Sequence, residues 1–464
     1  IIYFIYFSAA ACLKTKFPNY NINIIKSDKI GIIGVGEGST EHWSEFTKYV
    51  GIKFKDLLKE TGATLNSGVM FEGWTKEPFL HSVNGDFSKE AGDYLYLYAN
   101  LIARNINAKY MCYQNFYDNK FIKQDYSNLV LQFHFDTFKL NTFLNKVCIE
   151  KNINIIEDDI KDAIKNDLGE IKHLVGQKQN YDADLFIDCS GFFGFLLKKH
   201  LKVPYISYQK YLPVDSAFAF PSPKEEKRNA WTLSRAMNSG WHWKTPTQDR
   251  LGNGYVYSSS HITEDKALEE IQKLYGDKIK IAKSFKFQAG RVKTFWYKNV
   301  VAIGVSAGFV EPLEATSIGS TIQQAFCLNQ FLPSLDKKSF NKHTEYLYEN
   351  LMEFVHAHYL TKRQDTEFWK DVQNLPIMEG VQELMEIAKI RMIRNSDFTI
   401  GWHMFRAPNW VILFHALGLF NTENIKKELN ASHVLKSFAE MEHEELFSFS
   451  KEYIDHDQVI KELI

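Results

Sequence analysis

Hydrophobic and polar positions change rhythm several times along this chain, and each rhythm predicts a different element. Residues Asn21-Ile22-Asn23-Ile24-Ile25 alternate as a half-buried strand does. Lys29 to Val35 reads as a second short apolar strand, running into Gly34-Val35-Gly36-Glu37-Gly38-Ser39-Thr40, a glycine-rich turn. Leu185-Phe186-Ile187-Asp188 and Val300-Val301-Ala302-Ile303 are unbroken apolar runs ending in Ser and Gly, the pattern of parallel strands buried on both faces. Ala267 to Tyr275 has helical spacing. Beyond Ser339 the chain turns to long amphipathic stretches poor in Gly and Pro. Thr344 to Lys362, Gly380 to Arg394 and Ala431 to Tyr453 read as helices, with an apolar aromatic segment from Trp402 to Leu419 between them. The opening run Ile1 to Leu13 is too short to span a bilayer and has no basic residues ahead of it. It reads as the end of a strand leading into a helix.

These elements together predict an α/β fold: a Rossmann-like nucleotide-binding core over residues 1–338 and a mostly helical C-terminal region over 339–464. No repeat, low-complexity tract or flexible linker separates the two, so they are expected to pack intimately. At 464 residues the chain exceeds one ordinary small domain. Hydrophobic residues at 45% and charged residues at 24% fit a folded protein and exclude disorder and a membrane-embedded chain. A formal net charge of −1, from interspersed basic and acidic residues, leaves no field to hold nucleic acid or an anionic bilayer. Cys12, Cys112, Cys148, Cys189 and Cys327 are scattered and form no CxxC pair. No metal site is expected, and a reducing cytoplasm fits such cysteine usage.

Four segments carry candidate chemistry, each with a plainer reading beside it. The glycines of Gly34 to Gly38 let backbone N–H groups approach a phosphate or a flat ring, or else merely shape a turn. In Gly240-Trp241-His242-Trp243-Lys244-Thr245-Pro246, two tryptophans share one face of an extended segment, framing a site or packing the core. In Gly308 to Ile318, Glu314 lies two residues before the pair Thr316-Ser317 that opens a helix. Free N–H groups at a helix start bind anions, whereas the plainer role of Thr316 or Ser317 is an N-cap. His356-Ala357-His358 places two histidines two apart, off any single helical face, so they read as packing or hydrogen-bonding residues.

The order of these segments resembles that of the flavin-dependent halogenases, the family of tryptophan halogenases and their bacterial and phage relatives. The resemblance covers almost the whole chain: Ile33 to Gly38, Phe71-Glu72-Gly73-Trp74, Phe133-His134-Phe135-Asp136, Phe186 to Phe192, Gly240 to Pro246, Gly254 to Ser258, Gly308 to Ile318, and His358-Tyr359 through Asp365 to Trp369. The Gly-Trp-x-Trp-x-x-Pro block is the most specific, with Thr245 where the family usually has Ile. The resemblance implies an FAD-binding, aromatic-hydroxylase-like core. It also implies reduced FAD supplied by a separate reductase, and a halide oxidised with O2 to hypohalous acid. That oxidant passes through a protected tunnel to a separate pocket holding a small electron-rich aromatic of indole or phenol type.

Carried over position by position, Glu314 is the assisting carboxylate and Thr316 and Ser317 hold the halide. Ile318 lies near the flavin ring, and Gly34, Gly36, Glu37, Gly38 and Ser39 form the flavin-contacting loop. The family's catalytic lysine, five residues before Phe71, is replaced by Asn66, which donates a hydrogen bond but forms no haloamine. The family's Gly-x-Gly-x-x-Gly turn is replaced by Tyr3-Phe4-Ile5-Tyr6-Phe7-Ser8 ahead of a helix from Ala9 to Pro18, and Lys26 stands where an acidic residue usually grips the ribose. Three activities remain open: a halogenase, a catalytically impaired or non-catalytic relative, and an aromatic monooxygenase, against which Trp241 and Trp243 speak. Trp402, Phe405 and Trp410 face either substrate or core. Homo-oligomerisation is left open.

Overall fold

The computed structural model describes the chain except residues 1, 28, 30–36, 83–92, 109–113, 124–130, 277–278, 399–402 and 432–451. The expected strand from Lys29, the glycines Gly34 and Gly36, Cys112, Trp402 and most of the expected helix from Ala431 fall outside the described residues.

The N-terminal segment overturns one expectation. Ile2–Lys16 form one continuous helix, α1, so Tyr3 to Ser8 are helical and form no strand-to-helix turn. The physical reason is burial on nearly every side: Phe4, Ile5, and all of Phe7 to Leu13 are buried. A helix satisfies its own backbone groups and can therefore sink into the core whole. It packs against the helix Thr137–Glu150 and against α2, Thr316–Phe331.

Two parallel strand pairs lie beside it. Asn23–Lys26 pairs with Asn154–Glu157, and Phe186–Asp188 pairs in register with Val300–Ala302, as the two apolar runs predict. The carboxylate of Asp188 accepts the N–H groups of Leu196 and Leu197 at 2.8 and 2.9 Å, which fixes the chain leaving its strand. Gly304, just past Val300–Ala302, has φ +69°, and a Cβ there would stand 2.5 Å from Cδ1 of Ile5 in α1. Helix and strand end meet so closely that only glycine fits.

A seven-stranded sheet forms the second layer, in the order Lys283–Lys286, Ser216–Pro223, Arg250–Tyr257, Gly240–Pro246, Thr232–Met237, Gly68–Glu72, Phe79–Ser82. Only Thr232–Met237 and Gly68–Glu72 run parallel in it. A small sheet of Glu37–Gly38, Gln132–Phe135 and Thr64–Asn66 sets Asn66 opposite Gln132. The C-terminal region is mostly helical, with α3 (Lys337–His358), Glu379–Ile390, α4 (Ala407–Ala416) and Thr422–Asn430. Tyr453–Asp455 is a strand paired with Lys120–Ile122, not the end of a helix. The fold is the expected α/β core with a mostly helical C-terminal region. Among the described residues, no helix is long and apolar enough to cross a membrane.

Candidate active site

The turn before α2 is built from two consecutive left-handed residues that are not glycine, Glu314 at φ 63° and Ala315 at φ 52°. Each costs about 1–2 kcal/mol, so the surrounding contacts must hold the turn in place. Its effect is to swing Glu314 inward and to begin α2 without a side-chain cap. The N-cap is Ala315, and the capping role considered for Thr316 or Ser317 is not taken. Thr316 instead donates its hydroxyl to the carbonyl of Glu311 at 3.3 Å. The first-turn N–H groups of a helix left uncapped in this way can receive an anion.

Ala315, Ser317 and Ile318 line one cavity of about 100 Å³ together with Glu37, Gly38 and Ser39. Asn66, His81, Glu314, Phe405 and Asn409 line the same cavity, so the structure gathers the described site residues from both halves of the sequence. Thr316 is buried beside it. Asn66 is held at both ends of its amide: its Oδ1 accepts the Gly68 N–H at 3.1 Å and its Nδ2 donates to Gln132 Oε1 at 3.3 Å. Of the three aromatics named above, Phe405 faces the cavity while Trp410 is buried in the core.

Glu314 sits between two histidines. Its Oε1 lies 2.8 Å from His81 Nδ1 and 3.1 Å from His358 Nε2. Burial by itself raises the Glu314 carboxyl, but the facing His81 and His358 outweigh burial and hold it down at about 2. Three residues earlier, Glu311 has the opposite fate. Fully buried, with no cation bonded to it among the described residues, it accepts Trp241 Nε1–H at 3.2 Å and Tyr359 O–H at 3.1 Å. Burial pushes its carboxyl up to about 8, although both donors pull the other way.

Trp241 and Trp243 share a face of their strand, as the sequence predicts, with ring centroids 6.1 Å apart. Both line the cavity. Trp243 lies flat over Gly254, where a Cβ would stand 1.8 Å from its ring. His242, between them, points to the opposite face, against the Gly254 carbonyl and the Tyr275 hydroxyl, each at 2.8 Å.

Sequence reasoning missed His81, Asn409 and the part played by Glu311, and gave His358 only a packing or hydrogen-bonding role. His358-Tyr359 was visible as a block within the resemblance. His81 and Asn409 carried no periodic or spacing signal. Among the described residues, no cluster suited to a metal ion occurs.

An α/β core whose cavity joins an inward-turned carboxylate, an uncapped helix start and a paired-tryptophan strand is the arrangement expected of a flavin-dependent halogenase fold. A family model described as tryptophan halogenase matches residues 6–432, and the chain belongs to that family. It is 28% identical over 425 residues to the 7-chloro-L-tryptophan 6-halogenase of Kutzneria sp. (strain 744), covering 81% of each chain. Its fold is similar to that of the tryptophan halogenase of Shewanella frigidimarina, with TM-score 0.84 and 23% identity over 98% of this chain and 95% of the other. A flavin-dependent halogenase from Xanthomonas campestris gives TM-score 0.82 and 24% identity, covering 99% and 96%.

Proposed function

We propose that this chain halogenates a small electron-rich arene of indole or phenol type, using halide, O2 and reduced FAD delivered by a separate reductase. The observation that carries this reading is the single cavity into which Glu314 and the uncapped start of α2 both open. Relatives whose names specify tryptophan as substrate support an indole-type arene. The residues present suit a flavin. A groove of about 1960 Å³ runs past the ends of the two parallel strand pairs, with Lys26, Ser27, Asp158 and Ser190 on its walls. Open α/β sheets bind dinucleotides outside the carboxyl ends of their strands. Phe4, Ile5 and Phe7 of α1 are buried in the core, while Tyr6 stands on the groove wall.

In this reading FAD, when bound, supplies the oxidation of halide. The chain's own residues do the rest. The first-turn amides at Thr316 and Ser317 hold halide against Ile318, Gly38 and Ser39. Asn66 orients the hypohalous acid through the amide hydrogen not given to Gln132. Glu314, kept ionised, takes the proton released when the halogenated ring regains aromaticity.

The test is incubation of the protein with reduced FAD, O2 and bromide against a panel of indoles and phenols. Brominated product is expected, and its loss in Glu314→Gln. Unchanged substrate masses despite measured flavin binding would end the reading. Asn66 favours a second reading, a weakly active or inactive relative, because no lysine stands in its place. Hydroxylated product in halide-free buffer would point instead to a monooxygenase.

A further inference from the structure

Behind Glu314 lies a chain of hydrogen bonds whose proton positions are fixed by which atoms can only donate and which can only accept. It begins at Asn409, whose Oδ1 accepts the backbone N–H of Arg406 at 2.8 Å at the start of α4. That bond fixes the amide orientation, so Asn409 turns Nδ2 toward His81 Nε2 at 3.1 Å. An amide nitrogen donates and does not accept, so His81 Nε2 accepts and carries no proton. The ring proton of His81 is therefore on Nδ1, where it is donated to Glu314 Oε1 at 2.8 Å.

His358 meets the same carboxylate oxygen differently. Its Nδ1 lies 2.8 Å from the carbonyl of Phe354, one turn back in α3. A carbonyl only accepts, so Nδ1 carries a proton. Its Nε2 faces Glu314 Oε1 at 3.1 Å. Two bare lone pairs at that separation would repel, so a proton lies on that line, on the nitrogen or on the oxygen.

We infer that His358 is a positioning residue that carries this proton as an imidazolium, fixing Glu314 as a carboxylate and leaving its Oε2 to work on substrate. Oε1 already accepts the Nδ1–H of His81 at 2.8 Å, a bond that favours the carboxylate over the acid and so sets the shared proton on the ring of His358. The rings packed on His358 are Phe71, Trp74 and Phe354, and Glu314 is the only charged contact recorded for it among the described residues. His358 is 1% exposed and does not line the cavity, so it acts through Glu314. No described residue bonds Glu314 Oε2. The two histidines thus differ: His81, on the cavity wall, is neutral and its tautomer is set by Asn409, whereas His358, behind Glu314, bears the balancing charge.

This inference rests on Glu314 being the working carboxylate, yet its test needs no turnover. Nitrogen-15 spectra of the folded protein labelled at histidine should show one ring with slowly exchanging protons on both nitrogens. His358→Gln should remove that ring, and Glu314→Gln should leave it present but with one proton. Absence of a doubly protonated, exchange-protected ring in the wild-type protein overturns the inference. So does its survival in either variant. Should His358→Gln not fold, the wild-type spectrum and Glu314→Gln decide alone. A protein that shows the expected ring but halogenates nothing would discredit the proposed function and leave this proton assignment standing.

Discussion

Glu311 and Glu314 stand three residues apart on one turn, yet their surroundings drive their carboxyl groups to opposite ends of the pH scale, one up to about 8 and the other down to about 2. Such divergence separates a group that stays neutral from one that stays ionised at working pH. It also fixes the signs of two stability effects. The folded value of Glu311 lies above its ordinary 4.5, so its contribution is present in full below about 4.5 and is lost as pH rises through about 8. For Glu314 the contribution is present above 4.5 and is lost as pH falls through about 2. Thermal melts between pH 6 and 9, on the order of the range where Glu311 titrates, should show wild type losing several degrees more than Glu311→Gln. Parallel curves would mean that Glu311 is not the buried acid responsible. A second residue-scale expectation concerns Asn66. Replacing it by lysine restores a group able to take up halogen, and bromination rates should rise by about tenfold or more, worth roughly 1.4 kcal/mol of barrier. A rate equal to or below wild type would place the limitation elsewhere. At this scale the common placement of Glu314 and Ser317 on one cavity wall was legible because they stand together in one short motif. His81 was not, because it reaches Glu314 across 233 residues and nothing in its local pattern marks it.

Among the elements, the apolar runs at 185–188 and 300–303 were readable as parallel strands because each is short, β-branched in part, and punctuated by Ser or Gly. The opening run was misread for a related reason. A stretch apolar at every position carries neither a period of two nor of 3.6, so periodicity could not separate a strand from a wholly buried helix. The strand Gly240–Pro246 was recognised as special from its two tryptophans, but its dependence on the neighbouring strand was not visible. Trp243 needs the bare backbone of Gly254 beneath it. Gly254→Ala should displace that ring and cost about 1–3 kcal/mol through overpacking. Denaturant unfolding measures the loss, and tryptophan fluorescence reports the displaced ring. Unchanged stability and emission would show that the ring has room to move.

At the level of the whole molecule, the family's architecture was evident from motif order, whereas the way α1 packs against α2 and the helix Thr137–Glu150 became clear only from the structure. Titration with reduced FAD tests the resulting arrangement directly. Saturable binding is expected, and absence of binding would remove the cofactor from the proposed function. Among the described residues, the narrow cavity and the broad groove have one wall residue in common, Phe192, whose ring packs edge-on against Phe309 at 5.1 Å. Its ring thus stands on the boundary between a chamber where a reactive oxidant would be confined and the broader groove. Shrinking it in Phe192→Ala should breach that boundary and admit water. Under the proposed function, O2 consumption would then continue while halogenated product per O2 fell, a leak that paired oxygen-electrode and product assays would detect.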